Sequence, residues 1–381
     1  MLGKGSDLSS AKWILALSAT FAAALNGTMV MPLIVMAAGR LPGFDEGTAT
    51  AVAACEIAGV ALYCLLLPRF CAGKPRPLAL AAAFILAAAQ LGSHFAASPA
   101  PLAIARLAAG LAEGALFSLL ARQLAGRAGA ERIWGQINLI GGLAMGTLLY
   151  VLSSLSDGEG LFLWLAVFTG GAGPAILLAK PPVFAVEETA PSAGRSRIGI
   201  ILAVVFLVYG VQAGQWAVSG YVGEAANLST ARVGLFLALS SLAGFAGAVL
   251  PSLTRSPDRR LPGVLSGLLL MSLALAAFFN LAGAGPFLGG QILVNVGFYM
   301  ATPFLTGLLT ENDSDGALLM KTLVVALGGA AVGTAVAGEA YVRLGPVWFS
   351  AVAICAVAVG AIGAVRVFLR ETAHPAGMVV S

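Results

Sequence analysis

The chain has 381 residues, of which 59% are hydrophobic and 10% charged, and its mean hydropathy is +0.94. Soluble domains carry about 25% charged residues, so this composition excludes a water-soluble enzyme or binding domain and indicates a polytopic membrane protein. A net charge of +4 is no nucleic-acid footprint, and Cys55, Cys64, Cys71 and Cys355 with two histidines form no metal or redox spacing.

A span needs about 20 predominantly apolar residues. The first such stretch, Trp13–Ala38, carries Asn26; the second, Thr48–Leu67, carries Glu56; the third is Pro77–Ala96. The fourth, Pro101–Leu124, holds Arg106 and Glu113. Charge at bilayer depth costs about 2.5 to 3.5 kcal/mol on insertion scales, so a charge retained there marks a functional site. Arg106, Gly110, Glu113 and Phe117 fall at i, i+4, i+7 and i+11, one face of a helix. Ile133–Leu155 and Gly160–Ala179 follow, then a polar interruption at Lys180–Arg197 whose prolines, charges and small residues read as a cytoplasmic linker. Beyond it come Ile198–Val222, Val233–Leu253, Pro262–Ala282, Pro286–Leu309, Ala317–Val342 and Pro346–Leu369. The expected organisation is therefore twelve transmembrane helices: a bundle of six over residues 1–179, a linker over 180–197, and a second bundle of six over 198–381.

Charge fixes the expected orientation. With the N-terminus in the cytoplasm, 17 of the 21 lysines and arginines fall inside, Arg40, Arg232 and Arg343 outside, and Arg106 within the membrane. That is the asymmetry of the positive-inside rule. Both termini are expected in the cytoplasm, in a plasma membrane such as the bacterial inner membrane.

The two halves also repeat. Gly141-Gly142-Leu143-Ala144-Met145-Gly146-Thr147 returns 187 residues later as Gly328-Gly329-Ala330-Ala331-Val332-Gly333-Thr334. Ala58-Gly59 returns 185 residues later as Ala243-Gly244, and at the same offset Arg106 meets Gln291. Such a register is the mark of two homologous halves.

Twelve spans, a central linker and the run Arg106-Leu107-Ala108-Ala109-Gly110 together resemble the major facilitator superfamily along essentially the whole chain. Pro68-Arg69-Phe70-Cys71-Ala72-Gly73-Lys74-Pro75-Arg76 occupies the place of that family's loop between spans 2 and 3, with Pro68 near the position of the usual acidic residue. The fifth span lacks the Gly-Pro core found in the family's drug antiporters. The resemblance implies an all-α fold of two six-helix pseudo-repeats, with spans 1, 4, 7 and 10 around a central cavity.

Those spans carry much of the intramembrane polarity. Asn26 on span 1, Tyr209, Gln212 and Trp216 on span 7, and Gln291, Asn295, Tyr299 and Thr302 on span 10 make stripes of amides and rings. Such stripes suit a small organic solute; hydrogen bonds between helices are the other use of the same residues. Counting depth at 1.5 Å per residue puts Arg106 roughly 8 Å, Glu56 roughly 12 Å and Glu113 roughly 18 Å from the outer surface. Glu56 and Arg106 are expected to pair. Glu113 is expected to stand alone near the midplane as the proton-coupling carboxyl, or to be a permanently protonated packing group. On the cytoplasmic rim, Arg69, Lys74 and Arg76 and an acidic run of Glu311, Asp313 and Asp315 are expected either to latch the inner side closed or to be solvated rim charges that contribute little.

The expected function is secondary active transport of a small organic solute by alternating access, coupled to protons. A proton-driven drug efflux antiporter and a transport-inactive receptor or scaffold on the same fold are the alternatives. Neither an enzyme nor a channel is expected, and no cofactor or metal. The expected partners are the solute, protons and membrane lipid, not nucleic acid, and the chain is expected to act as a monomer.

Overall fold

The computed structural model describes residues 3–66, 75–124, 130–155, 160–178, 195–249, 251, 259–310 and 317–373. All regular structure in them is helical. The first apolar stretch forms three consecutive pieces, α1 (Gly3–Ala24), α2 (Asn26–Met29) and α3 (Met31–Gly39). Then come α4 (Glu46–Leu66), α5 (Pro75–His94), α6 (Pro99–Leu124), α7 (Ala130–Leu155) and α8 (Leu161–Ala172), the last continuing as a 3₁₀ turn, Gly173–Leu177. The second half holds α9 (Arg195–Ala225), α10 (Thr230–Gly244) with a 3₁₀ turn Phe245–Ala248, α11 (Arg260–Asn280), α12 (Ala284–Thr310) and α13 (Ala317–Ala373). Helix α9 thus begins three residues inside the expected linker.

Among the described residues, nine helices are long and apolar enough to cross a membrane, and Ala11–Ala24 and Leu161–Leu177 are shorter apolar helices. The last of the nine, Met320–Leu369, covers 50 residues. It contains Gly345 at φ 72°, followed by Pro346. A positive φ suits glycine and proline offers no N–H, so the chain reverses there, between the two apolar stretches expected in this region. Large apolar side chains such as Phe84, Phe95, Val167 and Trp348 point outward, as a surface facing lipid requires.

Glycines set how closely the helices approach, and they do it twice in the same way. In the first half, a Cβ on Gly110 of α6 would lie 1.8 Å from the Glu56 carbonyl oxygen of α4. In the second, a Cβ on Gly247 would lie 2.2 Å from the Val296 carbonyl of α12. The repeated motif behaves alike: Gly141 of α7 abuts Ser18 and Phe21 of α1, and Gly329 and Gly333 of α13 abut Phe206 and Gly210 of α9. Spans 2 and 4 therefore pack as spans 8 and 10 do, and spans 5 and 1 as spans 11 and 7. Backbone contact of this kind replaces the hydrophobic drive that lipid removes.

The halves meet along two seams and through the first span. Along one, the Gly338 N–H of α13 donates to Thr50 Oγ1 of α4 at 3.1 Å. Along the other, Gly234 of α10 lies against Ser153 of α7 and Gly142 against Phe245. At the end that the charge pattern puts outside, Arg40 donates to Thr230 at 3.2 Å and approaches Glu224 at 3.9 Å. The larger core cluster runs across both halves. A second cluster, with Trp13, Leu17 and Phe21, lies in the first half.

Candidate functional site

The three charged residues expected inside the membrane come together in the first half, each without meaningful exposure: Glu56 1%, Arg106 0% and Glu113 0%. The Gly110 contact explains how. It sets the Glu56 backbone level with a residue four positions after Arg106 and three before Glu113, so one glutamate stands between the other two charges.

Arg106 is fully used. Its Nη1 donates to both oxygens of Glu56 at 3.2 Å. Nη2 donates to Gln90 Oε1 at 2.8 Å and to Ser93 Oγ at 2.7 Å, and Nε donates to Ser93 Oγ at 3.0 Å. The guanidinium also lies 5.0 Å from the centre of the Phe162 ring, where the negative ring face favours a cation. The expected Glu56–Arg106 pair is thus present as a buried, two-pronged ion pair.

Glu113 differs from expectation, because it is not alone. Its Oε1 accepts from Asn26 Nδ2 at 2.6 Å and from the Gly27 backbone N–H at 3.1 Å. The Glu56 carboxyl lies beside it: a Cβ on Gly27, whose N–H bonds Glu113, would fall on the Glu56 carboxyl. The Glu113 Oε2 receives no donor among the described residues. An ionised carboxylate only accepts, so a bond between two carboxyls requires a proton on one of them. With one proton the Arg106–Glu56–Glu113 group is neutral. Without it the group carries one negative charge at zero exposure, which is costly unless compensated. The arrangement can hold one proton between its two carboxyls.

The break in the first span belongs to this site. In an unbroken helix the Gly27 N–H would bond the Ala23 carbonyl. Here Asn26 Nδ2 takes that carbonyl at 2.8 Å, and the released Gly27 N–H turns to Glu113. Five residues further on, Pro32 has no N–H to offer the Thr28 carbonyl. The Thr28 carbonyl instead accepts from the Trp216 indole of α9 at 3.1 Å, across the interface between the halves. Two breaks in one helix therefore give one contact to the acid cluster and one to the opposite half, a residue apart.

The other expected binding residues divide into two groups. Asn26 and Gln291 have no exposed surface: Asn26 sits in the acid network, and Gln291 exchanges hydrogen bonds with Gln215 at 2.6 and 3.4 Å. Trp216 is buried with its indole on Thr28. Asn295 Oδ1 accepts from Gln212 Nε2 at 2.7 Å. Tyr209, Gln212 and Tyr299 keep part of their surface open. Tyr209 packs edge-on to Phe298 at 4.9 Å, and Tyr299 stacks on Phe245 at 5.3 Å. The Gln212 Oε1 atom is buried with no donor among the described residues. These three, with Phe245 and Phe298, form an aromatic and amide surface in the second half.

Of the expected latch, Arg69, Lys74, Glu311, Asp313 and Asp315 lie outside the described residues. Arg76 is exposed in the first turn of α5. Gln90, Ser93, Gly27 and Gln215 also belong to these networks, beyond the residues expected there. Gln90 was open to discovery as a lone amide in an alanine-rich span; Gly27 acts through its backbone and offers no such signal. No group of three or more metal-ligating side chains occurs among the described residues.

No family model matches the sequence, and no curated protein matches it. Solved structures do share its fold. A nucleoside transporter, NupG, superimposes with TM-score 0.73 at 12% identity, covering 94% of this chain and 99% of that one. A D-xylose-proton symporter gives 0.69 at 17% identity, over 93% and 96%. The human organic anion transporter MFSD10 gives 0.67 at 14% identity, over 93% and 99%. The chain has the major-facilitator fold over nearly its full length.

Proposed function

We propose that this protein is a secondary active transporter that carries a small organic solute across the membrane by alternating access, with a proton bound and released at Glu113. Glu56 and Arg106 are the companion pair that keeps the site neutral when the proton is present. One observation carries the reading: the sealed acid cluster is bonded to Gly27 in the broken part of span 1, and the adjoining Thr28, freed by the second break, is bonded to the opposite half through Trp216. Loss of the proton adds a charge at the break, and the break touches the surface that must part when the halves rock.

The solute would sit against Tyr209, Gln212 and Tyr299, with Asn26, Trp216, Gln291 and Asn295 holding the helices that present them. Among the described residues, charge in the membrane interior is confined to the sealed cluster, so this surface suits an amphipathic or ring-bearing solute with a hydrogen-bond donor for Gln212. The structural neighbours are, by name, transporters of a nucleoside, a pentose and organic anions, which sets the first solutes to try. Arg69, Lys74 and Arg76 against Glu311, Asp313 and Asp315 would close the cytoplasmic side, where both termini lie. The protein works as a monomer in this scheme. The same charges can drive symport or efflux exchange.

The test uses proteoliposomes enclosing a pH-sensitive dye, challenged with nucleosides, pentoses and small organic anions. Solute-dependent proton movement that disappears in Glu113→Gln supports the reading. Uphill uptake by Glu113→Gln with unchanged pH dependence refutes the coupling role, and saturable binding without flux refutes transport. Accumulation or exclusion of the same solute by expressing cells separates uptake from efflux.

A further inference from the structure

We infer that Gln90 is a positioning residue for the proton site: acting through Asn26, it holds Glu113 Oε1 as an acceptor and so leaves Oε2 as the oxygen that takes the proton. The inference rests on the proton reading of Glu113 and adds the device that decides which oxygen is used.

The donors run outward from the cation. Arg106 can only donate, so the oxygen of the Gln90 amide must face it, and it does, at 2.8 Å from Nη2. That choice leaves the Gln90 amide nitrogen on the far side, where it donates to Asn26 Oδ1 at 3.2 Å. With its oxygen so engaged, Asn26 must turn its nitrogen toward Glu113 Oε1, at 2.6 Å, and the Ala23 carbonyl, at 2.8 Å. An amide flip at either residue would set donor against donor. Each orientation is therefore dictated by its neighbour, beginning with a group that cannot change its protonation.

One guanidinium thus addresses two carboxyls. It binds Glu56 directly and reaches Glu113 through two amide dipoles. Among the described residues, the charged groups acting on Glu113 are Glu56 from α4 and Arg106 from its own helix. Gln90 and Asn26 are the neutral members, with no exposed surface. Oε1 already accepts from Asn26 and from Gly27, so a proton there would displace a donor. Oε2 has no donor to displace among the described residues.

In the protonated carboxyl Oε1 is then the C=O oxygen, and its stretching frequency reports the donors it holds. The experiment is infrared difference spectroscopy of the full-length protein in liposomes, stepped between acid and alkaline buffer with no solute present. The Glu113 band is identified by its loss in Glu113→Gln. The expected result is that Gln90→Leu moves this band to higher frequency, as Asn26→Leu does, and that Gln90→Leu adds no further shift in the Asn26→Leu background. Gln90→Met, closer in shape to glutamine, provides the same comparison if the leucine variant fails to fold. A band left in place by the Gln90 variant, or a shift additive with that of Asn26→Leu, overturns the inference while leaving the proton on Glu113. Absence of any Glu113-dependent band at every pH overturns the proton reading itself.

Discussion

Replacing Arg106 by leucine removes the five hydrogen bonds that it donates to Glu56, Gln90 and Ser93. The larger effect is on what remains. Glu56 is 1% exposed, and among the described residues no other cation is in contact with it, so the variant leaves a buried carboxylate without compensation. Breaking a buried pair from one side costs about 3–5 kcal/mol, whereas removing both charges is close to neutral. Arg106→Leu should therefore lose about 3–5 kcal/mol of unfolding free energy at alkaline pH, and Arg106→Leu with Glu56→Gln should regain most of it. Because Glu56 can be neutralised by taking up a proton, the single variant's deficit should shrink as pH falls. The assay is unfolding in mixed micelles by titration with a denaturing detergent, at two pH values. A single-variant loss below about 1 kcal/mol, the value of an exposed pair, would refute the reasoning, as would a double variant no better than the single.

Gly110→Ala places a methyl group 1.8 Å from the Glu56 carbonyl and must push α4 from α6. Thermal unfolding should show a loss of about 1–3 kcal/mol or more, while Gly135→Ala, with open space around it, serves as the neutral control. Pro32→Ala restores an N–H that competes with Trp216 for the Thr28 carbonyl, so the interface between the halves should loosen. Distances measured between spin labels on the Leu41–Phe44 and Ala226–Ser229 turns should broaden, and an unchanged distribution contradicts the role given to the proline. At the start of α4 the Thr48 side chain and then its backbone N–H, which donates to Asp45 Oδ1 at 2.7 Å, hold the Asp45 carboxyl below the usual aspartate range. A depressed value means the cap is present at neutral pH and lost as pH falls through that lowered range. Protection of the Thr48 amide against hydrogen exchange should follow that titration and become pH-independent in Asp45→Ala.

The helices, their repeat and the Glu56–Arg106 pair were legible in the sequence for simple reasons. Span length follows bilayer thickness, and two charges at similar depth on helices that enter from one side must neutralise each other. Depth counting failed at Glu113 because it treats helices as straight rods separated by ordinary side chains. Gly110 lets α4 approach so closely that Glu56 reaches both neighbours, and the break at Asn26–Gly27 supplies backbone donors that no residue letter announces. Asn26 was legible as a functional polar residue, but its partner was not, since that depends on a carbonyl released inside its own helix. Gln291 looked like a lining residue and is instead sealed by Gln215. Whether an amide faces a cavity or another amide is decided by helix rotation, which the spacing of a few polar residues does not settle. Pro32 was visible throughout; its consequence four residues earlier, a free carbonyl for Trp216, needed the opposite half in place.

Exchange of the transported proton at Glu113 is what the proposed mechanism depends on. It is tested most directly by solute-driven proton flux in proteoliposomes, comparing the wild-type protein with Glu113→Gln under one imposed pH gradient. Coupled flux is expected in the wild type and, in the variant, only downhill exchange that does not move protons. Equal proton movement per solute in the two proteins would contradict it.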